Sequence, residues 1–426
     1  MISYRHNGVM DMSAALTPGA YYRLPWTLTD NAISWLEITD DCNLACEGCY
    51  RPRKQNHKSL EQIANELALF SKQRKSDCMS LAGGDPLVHP EIVQIVKMVK
   101  SAGWKPIINT NGLALGRKLL HKLKEAGAHG FTFHIDTTQV RSDSRAQTEK
   151  DLNSLRLKFA EMLAAEGGLT CSFNQTVSTQ TLEQVRDTLE WAQQHPDIVH
   201  TMVFILFRTP YFSEAFDFYA NGKPVNIGAT YEKPDWGGRQ PLAAKDVVAK
   251  IREADPDYRP CACLSGDADP ESTKWLLACR LTSKKRGFGY LGPKSMEAIQ
   301  ASHHFFKGTW LSYTSPGSNR SGRTLMSLCA LFDRQVRSTA RHYLASCVKN
   351  PLNIFDTVYM QSFMIIQPID ILPDGQANMC DGCPDMTMHE GKLRWSCRLE
   401  EVRQHGCMLQ ACPKNAAQAS VDFRPM

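Results

Sequence analysis

The chain has 426 residues, of which 42% are hydrophobic and 22% are charged, a composition typical of a globular protein rather than a disordered or fibrous one. Its 49 Lys and Arg exceed its 44 Asp and Glu by so little that the charge does not indicate a nucleic acid partner. We expect no membrane-spanning helix, because no apolar run is long enough, and no export, because the N-terminus lacks the apolar core of a signal peptide. The 15 cysteines are therefore expected to be metal ligands and reduced thiols in the cytoplasm rather than disulfides.

Short apolar runs alternate with amphipathic segments between residues 31 and 207. The segments between the runs have helical periodicity, and Ser59 with Gln62 fits a helix capping box. Six strand–helix units in succession predict a parallel sheet, either doubly wound or curved into a partial barrel. In both architectures the ligand site lies at the carboxyl ends of the strands. The six predicted strands are Ala32–Thr39, Cys78–Ala82, Lys105–Asn109, Gly130–Asp136, Leu169–Val177 and Thr201–Phe207.

A loop with three cysteines, Cys42, Cys46 and Cys49, directly follows the first predicted strand. Its C-x3-C-x2-C spacing can hold three irons of a [4Fe–4S] cluster. Because four thiolates are the usual full set, the fourth iron would stay open for a substrate or cofactor. A zinc site is the alternative, but it normally has paired C-x2-C units and a fourth ligand nearby. The next Cys or His after the loop is His57, which favours the cluster.

The radical S-adenosylmethionine (radical SAM) enzymes have a signature loop that this segment resembles: Cys42-Asn43-Leu44-Ala45-Cys46-Glu47-Gly48-Cys49-Tyr50. The resemblance implies an α/β fold built on a partial (β/α)6 barrel of the TIM type. It also implies that SAM chelates the open iron and is split reductively into methionine and a 5′-deoxyadenosyl radical. That radical would then abstract hydrogen from a substrate. A flavodoxin- or ferredoxin-type protein is the expected electron donor, and Tyr50 matches the family's aromatic residue near the adenine.

Two glycine-containing turns end the second and third predicted strands. Gly83, Gly84 and Asp85, followed by proline, resemble the family's GGEP motif, whose backbone and acid meet the methionine amino group of SAM. Asp is one methylene shorter than the usual Glu, so contact through the backbone is expected before contact through the side chain. Asn109 and Asn111 belong to a turn that resembles the family's TNG turn, and both are predicted to line the site. Plain structural turns are the alternative for both motifs.

Polar side chains also recur on the fourth and fifth predicted strands. Strand alternation puts His134 and Asp136 on one face, and Asn174 holds the corresponding place on the next strand. In a barrel that face points inward. The family resemblance implies that these residues contact the SAM ribose, whereas a histidine satisfied within the core is the alternative for His134.

Two further sets of cysteines lie beyond residue 207 and are candidate metal ligands. A Pro-Asp-Gly turn followed by Cys380-Asp381-Gly382-Cys383 resembles the start of the auxiliary-cluster (SPASM or twitch) domains that follow many radical SAM barrels. The later spacings depart from that pattern, so one or more auxiliary Fe–S clusters are predicted, with zinc or a single iron as the alternative. The candidates are Cys261, Cys263 and Cys279 in one set and Cys380, Cys383, Cys397, Cys407 and Cys412 in the other.

One amphipathic segment stands out in the otherwise irregular part of the chain. Apolar residues from Leu325 to Leu344 are interleaved with arginines, which predicts a helix with a basic face. Such faces are usually only solvated, and a surface for an anionic or amphiphilic substrate is the alternative.

The chain divides into four predicted regions. An N-terminal extension (1–30) precedes the barrel (31–207), which is followed by an irregular and helical substrate or lid region (208–345) and a cysteine-rich auxiliary-cluster domain (346–426). The predicted function is a radical SAM enzyme acting on a small-molecule or lipid-like substrate. A peptide or protein maturase of the SPASM type and a non-catalytic Fe–S or zinc scaffold are the alternatives.

Overall fold

The computed structural model describes residues 16–51, 54–208, 215–231 and 242–414. Parts of the predicted N-terminal extension (1–15), middle region (209–214 and 232–241) and C-terminal region (415–426) lie outside these ranges. The strands are β1 (Tyr22–Arg23), β2 (Ile33–Thr39), β3 (Cys78–Gly83), β4 (Lys105–Thr110), β5 (Gly130–His134), β6 (Thr170–Val177), β7 (Thr201–Leu206), β8 (Phe216–Ala220), β9 (Lys223–Val225), β10 (Ala262–Ser265), β11 (Thr273–Thr282), β12 (Gly287–Tyr290), β13 (Tyr359–Ile366), β14 (Asp370–Ile371), β15 (Ala377–Asn378), β16 (Met386–His389), β17 (Lys392–Trp395) and β18 (Gln410–Pro413).

Helices cover the connections between the strands. The α-helices are α1 (Leu60–Gln73), α2 (Ile92–Ser101), α3 (Arg117–Glu125), α4 (Glu149–Glu166), α5 (Val185–Gln194), α6 (Ile227–Thr230), α7 (Ala244–Ala254), α8 (Pro293–Lys307), α9 (Pro316–Asn319), α10 (Gly322–Cys329), α11 (Arg334–Lys349) and α12 (Leu399–His405). Short 3-10 helices cover Pro18–Ala20, Pro86–Val88, Leu182–Gln184, Pro351–Phe355 and Ser396–Arg398. Within the described ranges, no helix is long and apolar enough to cross a membrane.

Strands β2 to β7 form the predicted parallel sheet, in chain order, with a helix in each connection. Side chains alternate between its two faces. Leu36 and Ile38 pack against the helices on the outer face, whereas Trp35 on the same strand lines the cavity on the inner face. The capping box at Ser59 and Gln62 is present at the start of α1. The expectation of an α/β fold with a largely parallel sheet of the partial-barrel type is confirmed.

The sheet does not stop at β7. Strand β13 adds to β7 in parallel, β11 pairs antiparallel with β13, and β10 and β1 extend the sheet further. The expectation of an irregular and helical region over 208–345 did not include β10, β11 and β12, which belong to the main sheet. The apolar residues of these strands pack on both faces of the sheet. The turn-rich sequence on either side of them hides this strand pattern. The boundaries at 208 and 346 stay predictions.

Helices α8 to α11 close the amino end of the sheet. Their buried residues Met296, Met326 and Val336 join a cluster with Ile33 and Cys78, which begin β2 and β3. The loop before α9 also contacts strand starts, since the Lys105 ammonium donates to the Tyr313 carbonyl at 3.2 Å. The three cysteines of the loop lie at the carboxyl ends instead. The lid role predicted for 208–345 therefore does not fit residues 293–349, which lie at the opposite end.

The C-terminal region fills the gap between the two edges of the sheet. A β-bridge joins Gly266, which follows β10, to Cys380. The Asn31 amide donates to the Gly382 carbonyl at 3.1 Å, just before β2 begins. A segment that forms a bridge beside one edge and accepts a side-chain hydrogen bond beside the other covers the gap in the wall of the partial barrel. It also brings cysteines from residue 380 onward next to the cysteine loop.

Candidate active site

A cavity of about 310 Å³ lies at the carboxyl ends of the parallel strands. Both cysteine-containing segments line it, one from the loop after β2 and the other from the C-terminal region. Most of the site residues predicted from the sequence line the same cavity: Cys42, Cys46, Cys49, Tyr50, Gly83, Gly84, Asp85, Asn109, Asn111, His134, Asn174, Cys380, Cys383 and Cys397.

The two glycines after β3 hold the start of the cysteine loop. The backbone N–H of Gly84 donates to the Thr39 carbonyl at 2.7 Å, and that of Asp85 donates to the Asp41 carbonyl at 2.8 Å. A Cβ on Gly83 would lie 2.1 Å from the Thr39 carbonyl oxygen, and one on Gly84 would lie 1.9 Å from that of Asp41. These contacts are too close for any side chain. The glycines are thus required by the backbone of the loop, besides any approach to a ligand.

The Asp85 carboxylate is directed into the protein and is 1% exposed. It accepts hydrogen bonds from the Thr110 hydroxyl at 2.8 Å and 2.9 Å, from the Asn111 backbone N–H at 2.8 Å and from the Leu87 backbone N–H at 2.9 Å. Burial raises the pKa of Asp85, and these donors oppose that rise. The predicted contact between this side chain and SAM is therefore replaced by a positioning role, in which Asp85 ties the end of β3 to the turn after β4.

We expect Asp85→Ala to lower the free energy of unfolding of the metal-free protein by about 2–3 kcal/mol, because it leaves buried donors without an acceptor. Urea unfolding followed by circular dichroism measures this. Asn174→Ala is the matched control, since its side chain lines the same cavity, and it should change stability by about 1 kcal/mol or less. Equal stability of Asp85→Ala and the wild type, with weaker SAM binding, would instead restore the ligand role.

Two asparagines of the turn after β4 have different surroundings. The Asn111 amide donates to the Asn43 side-chain oxygen at 2.7 Å and to the Cys42 sulfur at 3.9 Å. The Asn109 amide donates to the Leu81 carbonyl at 3.3 Å, and the residue lines the cavity. Asn111 thus orients the first cysteine of the loop, while Asn109 remains a candidate for contact with a ligand.

His134 and Asp136 form a pair at the end of β5. The His134 Nε2 lies 2.7 Å from an Asp136 carboxylate oxygen and 3.1 Å from the Thr176 hydroxyl. Asp136 is 1% exposed, whereas the His134 side chain is 39% exposed and lines the cavity. Burial lowers the pKa of His134, but the charge and hydrogen bond of Asp136 outweigh it and the net pKa is raised. Burial raises the pKa of Asp136, but the charge and hydrogen bond of His134 outweigh burial, so the net pKa of Asp136 is lowered.

This pair should make stability depend on pH in a defined direction. The raised pKa of His134 contributes stability below its unfolded value, which is lost as the pH rises through the folded value. The lowered pKa of Asp136 contributes stability that is lost in acid, so the full effect lies between about pH 4 and 6.5. We expect the difference in unfolding free energy between wild type and His134→Asn to be larger at about pH 6 than at about pH 9. A difference that does not vary with pH would contradict the pairing.

The three loop cysteines are all accessible from the same cavity. All three line the cavity, and none is fully buried. Burial, followed by the charges of Cys49, Asp136 and Cys42, raises the pKa of Cys46. No three His, Cys, Asp or Glu side chains in the described ranges converge as they would around one metal ion. Each thiolate of a [4Fe–4S] site binds a different iron, so its sulfurs need not converge in that way.

The C-terminal cysteines are divided by the fold. Cys380, Cys383 and Cys397 line the cavity, and a hydrogen bond with Cys380 followed by burial raises the pKa of Cys383. Burial raises the pKa of Cys397 to about 12, and the nearby Arg208 opposes the rise. Cys407 and Cys412 are not among the residues that line the described cavity.

The fold also divides the earlier set, Cys261, Cys263 and Cys279. Cys261 and Cys279 lie in the core that faces helices α8 to α11, whereas Cys263 packs in the cluster on the other side of the sheet. Cys261 precedes β10 and Cys263 lies within it, so the close spacing of the two residues does not bring their side chains together. The ligand role of this set stays a prediction that the arrangement does not support.

Several cavity residues had no clear signal in the sequence. The Arg208 guanidinium lies 5.7 Å from the Tyr50 ring centre and 4.9 Å from that of Tyr231, and it donates to the Cys397 carbonyl at 3.1 Å. Asp385 also lines the cavity, and burial raises its pKa to about 7. Single charged residues after a strand, such as Arg208, or after a cysteine, such as Asp385, are common in sequences. Only their position in the fold shows that these two residues belong to the cavity.

Residues 36–192 match the family model of the radical SAM superfamily. This part of the chain is a radical SAM domain. The family uses a [4Fe–4S] cluster and SAM, so these two expected cofactors and the resemblance of this part of the chain to the family are confirmed. The auxiliary clusters and the SPASM-like character of the C-terminal region stay predictions. The assignment of individual ligands to residues stays a prediction.

Relatives of the radical SAM domain act on different substrates. The AdoMet-dependent heme synthase of Methanosarcina barkeri is 26% identical over 41% of this chain and 50% of that protein. The probable GTP 3′,8-cyclase of Methanocaldococcus jannaschii is 23% identical over 45% of this chain and 63% of that protein. A solved structure, SuiB of Streptococcus suis bound to precursor peptide SuiA, matches with 16% identity and a TM-score of 0.33 over 42% of this chain and 40% of that one. The chain thus spans less than two thirds of each of these proteins, and their substrates are not transferred to it.

Proposed function

We propose that this protein reductively cleaves SAM at a [4Fe–4S] cluster held by Cys42, Cys46 and Cys49, and that hydrogen is abstracted from a small molecule bound in the same cavity. The observation that supports this most strongly is the shared cavity. The three loop cysteines, the polar ends of consecutive strands and the C-terminal cysteines all line one space at the carboxyl ends of the sheet. Ligand sites of parallel α/β folds lie at this end.

The residues of the chain would position and enclose the reactants. When bound, the cluster would supply the electron that splits SAM into methionine and a 5′-deoxyadenosyl radical. Gly83 and Gly84 set the position of the loop, and Asn111 orients Cys42 through its amide. His134 lines the cavity, and Asp136 fixes the orientation of its ring. The C-terminal segment covers the gap in the barrel wall and so excludes water from the cavity.

The test is SAM cleavage by the reconstituted protein. The full chain is loaded with iron and sulfide under anaerobic conditions, reduced with dithionite and assayed for 5′-deoxyadenosine and methionine. Both products are expected, and a flavodoxin- or ferredoxin-type protein should replace dithionite as the electron donor. Absence of both products from a protein with a full complement of iron would favour the non-catalytic scaffold.

A small substrate is the first candidate, because the cavity of about 310 Å³ falls within the range for small-molecule ligand pockets. A peptide that is modified in the anaerobic assay, with no turnover of small molecules, would support the maturase alternative instead.

We also propose that Cys380, Cys383 and Cys397 hold an auxiliary Fe–S cluster next to the first one. Their thiols line the same cavity, and those of Cys380 and Cys383 interact directly. The sequence predicts Cys407 or Cys412 as a fourth ligand. Neither residue lines the cavity, although Cys407 packs on the same apolar cluster as Cys397.

A protein lacking Cys42, Cys46 and Cys49 is therefore expected to retain iron and sulfide after reconstitution, without SAM cleavage. Its visible absorption should be the broad band of an Fe–S cluster. Adding Cys397→Ala should remove this iron, whereas adding Cys347→Ser, on α11 at the far end of the barrel, should not. Zinc in place of iron would reduce this set to a structural metal site.

A further inference from the structure

Exposed apolar side chains are concentrated at the amino end of the barrel, on a surface we call the basal face. It comprises α10, α11 and the 3-10 helix that follows them, residues 322–355. Eight large apolar side chains on it are between 45% and 84% exposed: Leu328, Leu331, Phe332, Leu344, Val348, Leu352, Ile354 and Phe355. Soluble proteins rarely expose apolar residues in such groups unless the surface binds something.

These residues belong to one continuous surface. The Arg337 guanidinium donates to the carbonyls of Ala330 at 3.1 Å and Leu331 at 3.2 Å, which joins the start of α11 to the turn after α10. The Asn353 amide donates to the Ser346 carbonyl at 2.8 Å and holds the 3-10 helix against α11.

Along α11 the exposed residues follow helical spacing. Arg337, Arg341, Leu344 and Val348 are separated by four, three and four positions, so they form one stripe. The opposite stripe, which includes Val336 and Tyr343, packs into the core of the barrel. One apolar face of α11 is therefore buried against the rest of the protein. A second face, which carries both apolar and basic side chains, is exposed at the surface.

The basal face, together with the segment that precedes it, is also positively charged. Residues 284–356 contain eleven Lys and Arg against three Asp and Glu, although the whole chain carries only +5. Two of these three acidic side chains already have partners within the protein. Asp333 is buried and accepts from the Ser295 hydroxyl at 2.7 Å, and Asp356 pairs with the Lys285 ammonium at 3.0 Å.

We propose that the basal face docks the protein on an anionic lipid bilayer. Apolar side chains flanked by arginines on a helix that lies at the surface match the pattern of interfacial helices, in which apolar groups enter the headgroup region and basic groups meet anionic lipids. A second copy of this chain fits less well, because a symmetric contact would bring two strongly positive surfaces together. This surface is remote from the cysteine loop, and the proposal does not depend on the proposed function.

Docking in this way would hold the cavity on the side away from the bilayer. The cysteine loop lies at the carboxyl ends of the strands, whereas α10 and α11 pack at the amino ends. The surface would therefore localise the enzyme to the membrane rather than admit a lipid directly into the site.

The test is co-sedimentation of the full chain with vesicles of phosphatidylcholine alone or mixed with phosphatidylglycerol. Binding is expected only with the anionic mixture and should weaken as salt is raised. Leu344→Ser with Val348→Ser, which leaves the charge unchanged, should weaken binding at least about tenfold. Arg334→Glu with Arg341→Glu should weaken it at least about tenfold as well.

Charge reversal at a distant surface is the matched control. Lys118→Glu with Lys122→Glu changes two exposed residues of α3 and the same net charge, and it should leave vesicle binding within about twofold of the wild type. Equal loss in this control would show a non-specific effect of net charge and overturn the proposal. No binding to anionic vesicles at low salt would also overturn it. So would a dimer in solution that Leu344→Ser with Val348→Ser dissociates, because the face would then be a contact between copies.

Discussion

Replacing any one of Cys42, Cys46 or Cys49 by Ala is expected to abolish 5′-deoxyadenosine formation. Each thiolate would hold a different iron, and the other cysteines that line the cavity belong to the C-terminal set. Loss of one ligand should therefore disrupt the cluster rather than shift it. The measurement is 5′-deoxyadenosine per protein after anaerobic reconstitution with SAM and dithionite, together with the iron content.

Cys347→Ser provides the control for cysteine replacement in general. Cys347 lies on α11, at the end of the barrel opposite the loop, and is only partly buried. This variant should cleave SAM at the wild-type rate. Cleavage that persists in any of the three loop variants would remove the assignment of the cluster to this loop.

Arg51→Met is expected to cause the largest loss of stability, about 3–5 kcal/mol. Arg51 follows the cysteine loop and forms ion pairs with Glu37 on β2 and with Glu400 on α12, the latter at 2.7 Å. Both carboxylates are 1% exposed, so removing the guanidinium leaves buried charges with only Arg403 nearby. Urea unfolding of the metal-free protein measures the change. The same ion pairs join the cysteine loop to the C-terminal helix, so SAM cleavage should fall as well.

Arg186→Met is the matched control for loss of an arginine ion pair. Arg186 and Glu190 lie 2.8 Å apart on the surface of α5, and their side chains are 61% and 41% exposed. This variant should lose less than about 1 kcal/mol.

A double variant tests the buried pair directly. Arg51→Met combined with Glu400→Gln should be more stable than the sum of the single changes predicts, because the buried Glu400 charge that faced Arg51 is removed as well. Additive effects would show that the buried pair contributes little.

The order of strands and helices in the first half of the chain followed from local patterns. Alternating apolar runs and capping signals such as Ser59 with Gln62 act within a few residues, so they can be recognised without the rest of the fold. The pairing of β13 with β7 joins segments more than 150 residues apart, and nothing local marks it. For this reason the sequence predicted six strands but not the five that, in the described ranges, extend the sheet beyond them.

The candidate site divides in a similar way. The cysteine loop carries its chemistry in the spacing of Cys42, Cys46 and Cys49, and that spacing is a property of the chain itself. The role of Asp85 is different, because its acceptors are directed at Thr110 and Asn111 of another strand end. A motif can therefore identify the residue while the fold decides whether its side chain meets a ligand or its own protein.

The sequence alone predicted radical SAM chemistry for the loop, since metal ligands so close along the chain need little help from the fold to meet. Only the tertiary structure could bring Cys380, Cys383 and Cys397 to the same cavity, place Cys263 on the other side of the sheet from Cys261 and put helices α8 to α11 at the far end of the barrel. These placements depend on which edge of the sheet each distant segment covers. That choice is made by the burial of apolar surface over the whole chain, which no local spacing records.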